Sequence, residues 1–340
     1  MEADRRHLIA GGAALALGIP AAVRAERRPA LSQQRLSDFA DAAQRYGIKG
    51  LVIAGREATL LTRGRINEPS RIASIRKSFL SALLGMAIRD GRLDPDATIG
   101  SLGIRDYSPL TPVESRATVR QLMQARSGVY LPAAAETAQM RGQRPRRGAY
   151  APGTHFYYNN WDFNVLGEIY QRATGEDLFA AVAHRLAGPL GFQDFDRRRH
   201  TWWEYDRERS RFPAYNMSLS ARDLARFGQL YLRRGSWGGR QLIPASWIRE
   251  STTPYSATGG TGWWSGYGYM WWVASNRSGA SAGNLPPGAF TAAGAGGRYV
   301  SVLPGAGLTV AMQPDEHAGR TPIPLYADQT LLNGLLALLL

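Results

Sequence analysis

Apolar positions along the chain fall into a few periodic stretches, separated by polar segments rich in glycine and proline. Leu36–Tyr46 carries its apolar residues at helical spacing and reads as an amphipathic helix. Two short apolar runs follow, Gly50–Ala54 and Ala58–Thr62. They are joined by Gly55-Arg56-Glu57, a pattern that predicts a β-hairpin. Ser74–Arg89 is the clearest helix: Ile75, Phe79, Leu83, Met86 and Ala87 recur on one stripe, and Gly91 supplies a stop. The polar, proline-bearing middle predicts helices at Thr118–Met123, Trp161–Ala173 and Leu178–Leu186. Ser220-Ala221-Arg222-Asp223 reads as a capping box opening a helix to about Leu232. Further on, Tyr299–Leu303 and Leu308–Met312 flank Pro304-Gly305-Ala306-Gly307, a second hairpin, and Tyr326–Leu339 is a final apolar helix.

Strand signals therefore sit at both ends of the chain and helix signals in the middle. Alternating βαβ units are not what this order describes. The expected class is α+β: an antiparallel sheet flanked by helices, with sheet pieces near residues 47–65 and 265–340 and an inserted, mainly helical subdomain over roughly 90–230.

Composition narrows the chemistry. The 340 residues include no cysteine, which removes disulfides, thiolate nucleophiles, zinc–thiolate sites and Fe–S clusters. Five histidines are scattered without an HExxH string or a close pair, so no metal and no organic cofactor is expected. The formal charge is +14, but the arginines are spread out, with local clusters only at Arg141–Arg147 and Arg197–Arg211. Zinc-finger and RNA-binding signatures and long basic helices are missing, so nucleic acid is not an expected partner. Nothing in the pattern specifies an oligomeric state.

Met1–Ala25 reads as an export signal. Arg5 and Arg6 precede an apolar stretch, Leu8–Val23, and Val23-Arg24-Ala25 fits a small-x-small cleavage site. Arg5-Arg6-His7-Leu8-Ile9 resembles a twin-arginine signal, with Asp4 where Ser or Thr is preferred. The apolar run is too short for a comfortable membrane span. The expectation is a periplasmic or secreted domain from residue 26 onward, with no stable membrane insertion once the signal is removed.

The charge composition also isolates one residue. Of 41 basic residues only Lys49 and Lys77 are lysines. Ser74-Ile75-Arg76-Lys77 is an S-x-x-K string at the start of the clearest helix. Residues i and i+3 share a helix face, so the Ser74 hydroxyl and the Lys77 amine can meet. A helix N-terminus favours negative charge developing on Ser74. Lysine can lose its proton when burial and positive neighbours lower its pKa, whereas arginine effectively cannot. A capping serine followed by a surface lysine would leave the same string, so a second feature is needed.

That feature is Pro152-Gly153-Thr154-His155-Phe156-Tyr157-Tyr158-Asn159-Asn160, followed by Leu166-Gly167-Glu168-Ile169 and Ala173-Thr174-Gly175. With S-x-x-K upstream, the sequence resembles the serine β-lactamase and penicillin-binding-protein superfamily. It is most similar to the class C branch and the related family VIII carboxylesterases and 6-aminohexanoate-dimer hydrolases. Ser74, Lys77, Tyr158 and Asn160 fall on that family's motif positions, and the Phe156-x-Tyr158 spacing favours Tyr158 over Tyr157. Ala125-Arg126-Ser127-Gly128-Val129 and Met217–Gly228 resemble further family segments, so the likeness covers most of residues 47–315.

The resemblance implies a β-lactamase/transpeptidase-like fold and acyl transfer. Ser74 would attack a carbonyl while Lys77 and Tyr158 share its proton. Tyr158 would then protonate the leaving group, and Asn160 would orient Lys77 and the substrate. The family's third motif, K-T-G or H-x-G, has its counterpart in Ala292-Ala293-Gly294, without the cation. That departure favours a neutral amide or ester substrate. Ala295 would supply the second oxyanion-hole N–H beside that of Ser74.

The dense aromatic segment Trp263, Trp264, Tyr267, Tyr269, Trp271 and Trp272 is either a wall of the substrate pocket or strand core. Trp264, Tyr267, Tyr269 and Gly294 are the pocket candidates, and strand alternation sets Tyr269 and Trp271 against Trp272. His155, His184, His200 and His317 lack a convincing triad partner. The reading is a serine hydrolase of the carboxylesterase or amidase type, acting on a small-molecule amide or ester through a covalent Ser74 intermediate. Its rivals are a β-lactamase or D-amino-acid peptidase, kept open by Arg298 as a replacement cation, and a non-catalytic binding protein of the same fold.

Overall fold

The computed structural model describes residues 31–259, 265–275, 285, 288–315 and 329–339. The export reading of Met1–Ala25, the Trp263 and Trp264 positions and His317 lie outside the described residues.

The first helix, Gln33–Arg45, is capped by Ser32, whose hydroxyl accepts from Arg35 N–H. It buries Leu36, Phe39, Ala40, Ala42 and Ala43, the face its periodicity predicts. The expected hairpin follows as β1 (Ile48–Ala54) and β2 (Thr59–Gly64). β3 (Ser70–Arg71), β4 (Thr201–Glu204) and β5 (Ala214–Leu219) form a small separate sheet ordered β3-β5-β4. β6 (Ser236–Trp237) and β7 (Arg240–Gln241) form a two-stranded ribbon. The remaining strands are β8 (Ser256–Ala257), β9 (Gly266–Tyr267), β10 (Trp272–Val273), β11 (Phe290–Gly294), β12 (Arg298–Leu303) and β13 (Leu308–Pro314).

Among the described residues the main sheet is antiparallel and ordered β2-β1-β13-β12-β11-β10-β9-β8. β1 therefore pairs with β13 from the far end of the chain, with Leu51 opposite Met312 and Val52 opposite Ala311. Nearly all of β1 is buried, so both of its faces are covered. β10 pairs only with Phe290 and Thr291 of β11, so Ala292–Gly294 carry a ladder on the β12 side alone.

The helices between the sheet pieces follow the sequence pattern with three differences. The Arg76–Arg89 helix is buried on every side from Arg76 to Ala87, not along one stripe. It is a central helix: Gly85 lies where a Cβ would stand 2.3 Å from the Trp247 indole, and Trp247 Nε1–H donates to Ser81 O. Its stop is as expected, with Gly91 at φ 67°. Ser220 caps the Ala221–Leu232 helix, but Asp223 does not reach back. Its carboxylate accepts instead from the N–H groups of Gln193 (2.8 Å) and Asp194 (3.0 Å). The predicted Leu178–Leu186 helix holds α geometry only through Ala181 and widens to a π turn over Val182–Ala187.

Candidate active site

The candidate nucleophile stands at a strand–turn–helix junction. β3 pairs with β5, and Ile72 N–H donates to Met217 O (3.0 Å). The chain then passes through a 3₁₀ turn, Ala73–Ile75, into the Arg76–Arg89 helix. Ala73 has φ +47°, a left-handed conformation that costs an alanine energy unless its surroundings hold it. Ser74 is partly exposed above this turn, while Lys77, one helical turn on, is only 1% exposed.

Lys77 is the centre of the site. Its Nζ lies 3.0 Å from Ser74 Oγ, 2.6 Å from Tyr158 OH and 2.8 Å from Asn160 Oδ1. The rings of Tyr158 and Phe163 enclose it, with centroids 4.2 and 4.6 Å from Nζ. Among the described residues no carboxylate is among its partners. Burial holds the Lys77 pKa well below the ordinary lysine value, and the neighbouring Arg76 charge lowers it further. Burial pushes Tyr158 up to about 12, partly opposed by the Ser74 hydroxyl and Arg76. Both directions favour a proton on Tyr158 and a neutral amine at Lys77. A neutral amine has two N–H groups and one lone pair. Asn160 Oδ1 can only accept, so one hydroxyl neighbour is free to donate to the Lys77 lone pair.

The second motif is pinned by the segment preceding it. Gly153 N–H donates to Arg126 O (2.7 Å) and Tyr157 N–H to Ala125 O (3.0 Å). Asn159 caps the Asn160–Thr174 helix through Trp161 N–H and donates its Nδ2 to Val129 O (2.6 Å). Asn160 Nδ2 donates to Ala135 O (2.6 Å), which turns its carbonyl toward Lys77. The Tyr157 hydroxyl donates to Met140 O (2.8 Å) and faces away from this group, so Tyr158 is the tyrosine beside Ser74, as the spacing predicts.

β11 brings the third element. Gly294 packs directly on the nucleophile turn, and Ala295, exposed at the adjoining bend, follows it. No cation occupies the Ala292-Ala293-Gly294 positions, but Arg298 on β12 pairs with Gly294 across the hairpin. Its Nη1 donates to Ala295 O, and burial followed by the Arg71 charge lowers its pKa to about 10.

Of the aromatic pocket candidates, Tyr267 meets Tyr158 edge-on at 5.8 Å. Tyr269 does not join this group, contrary to the expectation. Its hydroxyl accepts from Arg120 Nη1 (2.8 Å), and its ring packs on Tyr255 (4.9 Å) and Trp247 (5.3 Å). The cause is the turn between β9 and β10, where Met270 takes φ +62° and Tyr269 N–H donates to Ser251 O. Trp271 packs behind the sheet on Tyr231 and Phe290, and Trp272 faces the other way, as alternation predicts.

Sequence reading left Trp272 open as pocket wall or strand core and missed Phe163. Trp272 is stacked on Tyr158 at 5.3 Å and 26° because it stands opposite Tyr267 in the β9–β10 register. Phe163 lies three residues after Asn160 on the same helix, a spacing that could have identified it. The described histidines are elsewhere: His155 stacks on Tyr150, His184 pairs with Glu176, and His200 Nδ1 accepts from Asp196 N–H.

Comparison with known proteins adds the following. A family model described as Beta-lactamase matches residues 37–313. A D-aminopeptidase from Brucella anthropi is 28% identical over 156 residues, which cover 40% of this chain and 28% of that protein. The matched stretch is thus well under half of that relative's length. A putative 6-aminohexanoate-dimer hydrolase from Bacillus anthracis aligns with TM-score 0.62 at 20% identity, over 88% of this chain and 79% of the other. A hydrolase with promiscuous acyltransferase activity aligns with TM-score 0.60 at 16% identity, over 83% and 92%. At these identities the structural likeness establishes the fold.

Proposed function

This chain belongs to the beta-lactamase family, and from that premise we propose that it is a serine hydrolase cleaving a small amide or ester through a covalent intermediate on Ser74. The observation that carries the reading is the single buried amine of Lys77, within hydrogen-bond reach of both Ser74 Oγ and Tyr158 OH and, among the described residues, without a carboxylate to hold its proton.

The steps follow from that arrangement. Ser74 Oγ attacks the carbonyl carbon and its proton passes to Lys77. The oxyanion receives the backbone N–H groups of Ser74 and Ala295. As the C–O or C–N bond breaks, Tyr158 gives its proton to the leaving oxygen or nitrogen and recovers one from Lys77 across their 2.6 Å contact. Water then attacks the acyl carbon, Lys77 and Tyr158 accept its proton, and Ser74 leaves reprotonated. Asn160 holds the Lys77 amine on the line between the two hydroxyls throughout. A binding protein would gain nothing from burying a deprotonatable lysine at this cost in desolvation.

A second reading has one observation in its favour. Arg298 sits across from Gly294, so a cation adjoins the place where the third motif lacks one. This supports a β-lactamase or peptidase acting on carboxylate-bearing substrates; separately, the curated relatives carry the name D-aminopeptidase.

The test is labelling by a fluorophosphonate probe together with turnover of p-nitrophenyl esters, simple amides, β-lactams and D-amino-acid peptides. Ser74-dependent labelling that disappears in Ser74→Ala and collapses in Lys77→Ala is expected. Preference for neutral esters or amides would support the first reading. Preference for carboxylate-bearing substrates, lost in Arg298→Gln, would support the second. A folded protein that neither labels nor turns over any of these would overturn both.

A further inference from the structure

Arg76, the second of the two residues between Ser74 and Lys77, is itself unusual. It is only 4% exposed, yet among the described residues no carboxylate bonds to it. Its Nη1 donates to Ala73 O (3.3 Å), its guanidinium lies 5.3 Å from the centre of the Tyr215 ring, and Nε and Nη2 are buried without a partner. Leaving a guanidinium buried and uncompensated is costly, and the cost calls for a reason.

Its surroundings supply one. From its own helix it adjoins Lys77. From the loop before the Asn160–Thr174 helix it faces Tyr158, from β5 Tyr215, from β3 Arg71 and from β4 Glu204. Glu204 is the sole acid in that set, and it is already engaged: its carboxylate accepts from Arg71 Nη2 (3.0 Å) and Asn216 Nδ2 (2.8 Å). The charge of Arg76 is therefore only partly offset, and in a low-dielectric setting it is felt by the groups around it. The Tyr215 ring lies 5.3 Å from the guanidinium, and the charge also acts on the Lys77 amine and the Tyr158 phenol. Its one hydrogen bond goes to the carbonyl of Ala73, the left-handed residue that presents Ser74.

We propose that Arg76 is a positioning residue of the site: a fixed buried cation that latches the strained Ala73 peptide beneath Ser74 and keeps the Lys77 amine free of its proton. This inference rests on the hydrolase reading for its purpose, but not for its test. An arginine serves here where a lysine could not, because it stays charged when buried.

The chain has only two lysines, so [¹³Cε]-lysine labelling gives two NMR signals, of which Lys77 is identified by its loss in Lys77→Met. In the full-length wild-type protein the Lys77 signal is expected to titrate well below the ordinary lysine value. In Arg76→Gln, which keeps a donor but loses the charge, the Lys77 midpoint is expected to rise by about one pH unit or more. Arg76→Lys is expected to raise it as well, because a buried lysine can shed the charge that an arginine keeps. The acid limb of fluorophosphonate labelling should move by the same amount. A Lys77 midpoint unchanged in Arg76→Gln, with Ser74-dependent labelling intact, would overturn the inference and leave the hydrolase reading standing. A midpoint that shifts as expected in a protein that never labels at Ser74 would support the inference and sink the hydrolase reading.

Discussion

A Cβ on Gly294 would stand 2.4 Å from the carbonyl oxygen of Ile72. The end of β11 and the turn that carries Ser74 are thus in backbone contact, with no flexible side chain between them to give way. Gly294→Ala must push the strand off the turn and carry the Ala295 N–H with it. Overpacking of this kind costs about 1–3 kcal/mol of stability. Loss of a well-placed oxyanion donor costs about 10²-fold or more in kcat. The expected outcome is a folded variant, melting a few degrees lower, with kcat for p-nitrophenyl acetate down about 100-fold and KM little changed. Wild-type kcat in a folded Gly294→Ala protein would remove Ala295 from the oxyanion hole.

Tyr158 should matter in proportion to the leaving group. Burial raises its pKa to about 12, so it is a proton donor at neutral pH, not a resting base. An alkylamine leaving group needs that proton, whereas p-nitrophenolate leaves without it. Tyr158→Phe should lower amide turnover by about 10²–10⁴-fold, the usual range for losing a general acid, and acylation by a p-nitrophenyl ester much less. Burst-phase and steady-state kinetics on matched amide and ester substrates would measure the two effects. Equal losses on both would assign the tyrosine a purely structural part.

Lys77 should trade stability for chemistry. Its pKa is lowered in the folded protein, so between that lowered value and the ordinary lysine value of about 10.4 the unfolded chain binds the extra proton. Stability from this group therefore rises with pH across that window and is lowest where the native amine is forced to charge. Replacing the amine by an apolar chain of similar length removes that liability. Lys77→Met should abolish Ser74 labelling yet raise the melting temperature at pH 7 by a few degrees, with the gain shrinking toward pH 10. Calorimetry across pH would check it; a destabilised, pH-independent Lys77→Met would contradict the neutral-amine assignment.

How much of this could be read from the sequence depends on the range of the forces involved. Both hairpins follow from local alternation, and the pairing of Leu51 with Met312 follows once each hairpin needs a partner. The Ser74–Lys77 contact is a property of helix geometry, and a lone lysine among arginines marked it. The all-round burial of the Arg76–Arg89 helix was not legible in its stripe of apolar residues, because Trp247 and the Asn160–Thr174 helix cover it from distant parts of the chain. Tyr269 was misplaced because one left-handed residue, Met270, reverses the face its neighbour presents. Asp223 looked like half of a capping box, but two backbone N–H groups of the Gln193–Asp194 turn claim its carboxylate. The strained Ala73 and the unpaired Arg76 charge leave no pattern in the sequence at all.

The last prediction concerns the wall behind Tyr158. Trp272 stacks on its ring at 5.3 Å, and Tyr267, opposite Trp272 in the ladder, closes it edge-on at 5.8 Å. Phe156 packs on both, 5.5 Å from Tyr267 and 6.3 Å from Trp272. An offset stack of this kind contributes about 0.5–1.5 kcal/mol beyond area burial. Here it also limits how far the phenol can swing from Lys77. Trp272→Leu keeps an apolar side chain but removes the plate. Tyr158 should then sample positions away from the 2.6 Å contact with Lys77, and kcat should fall about tenfold through misplacement of the proton donor. The opened space should shift preference toward longer acyl esters, so KM should fall with chain length more steeply than in the wild type. A Tyr158→Phe/Trp272→Leu double variant distinguishes the two contributions. If Trp272 acts only through the phenol, its loss adds nothing to kcat once that hydroxyl is gone, while the chain-length effect on KM persists. Additive losses in kcat would mean that Trp272 supports the site by some route other than Tyr158.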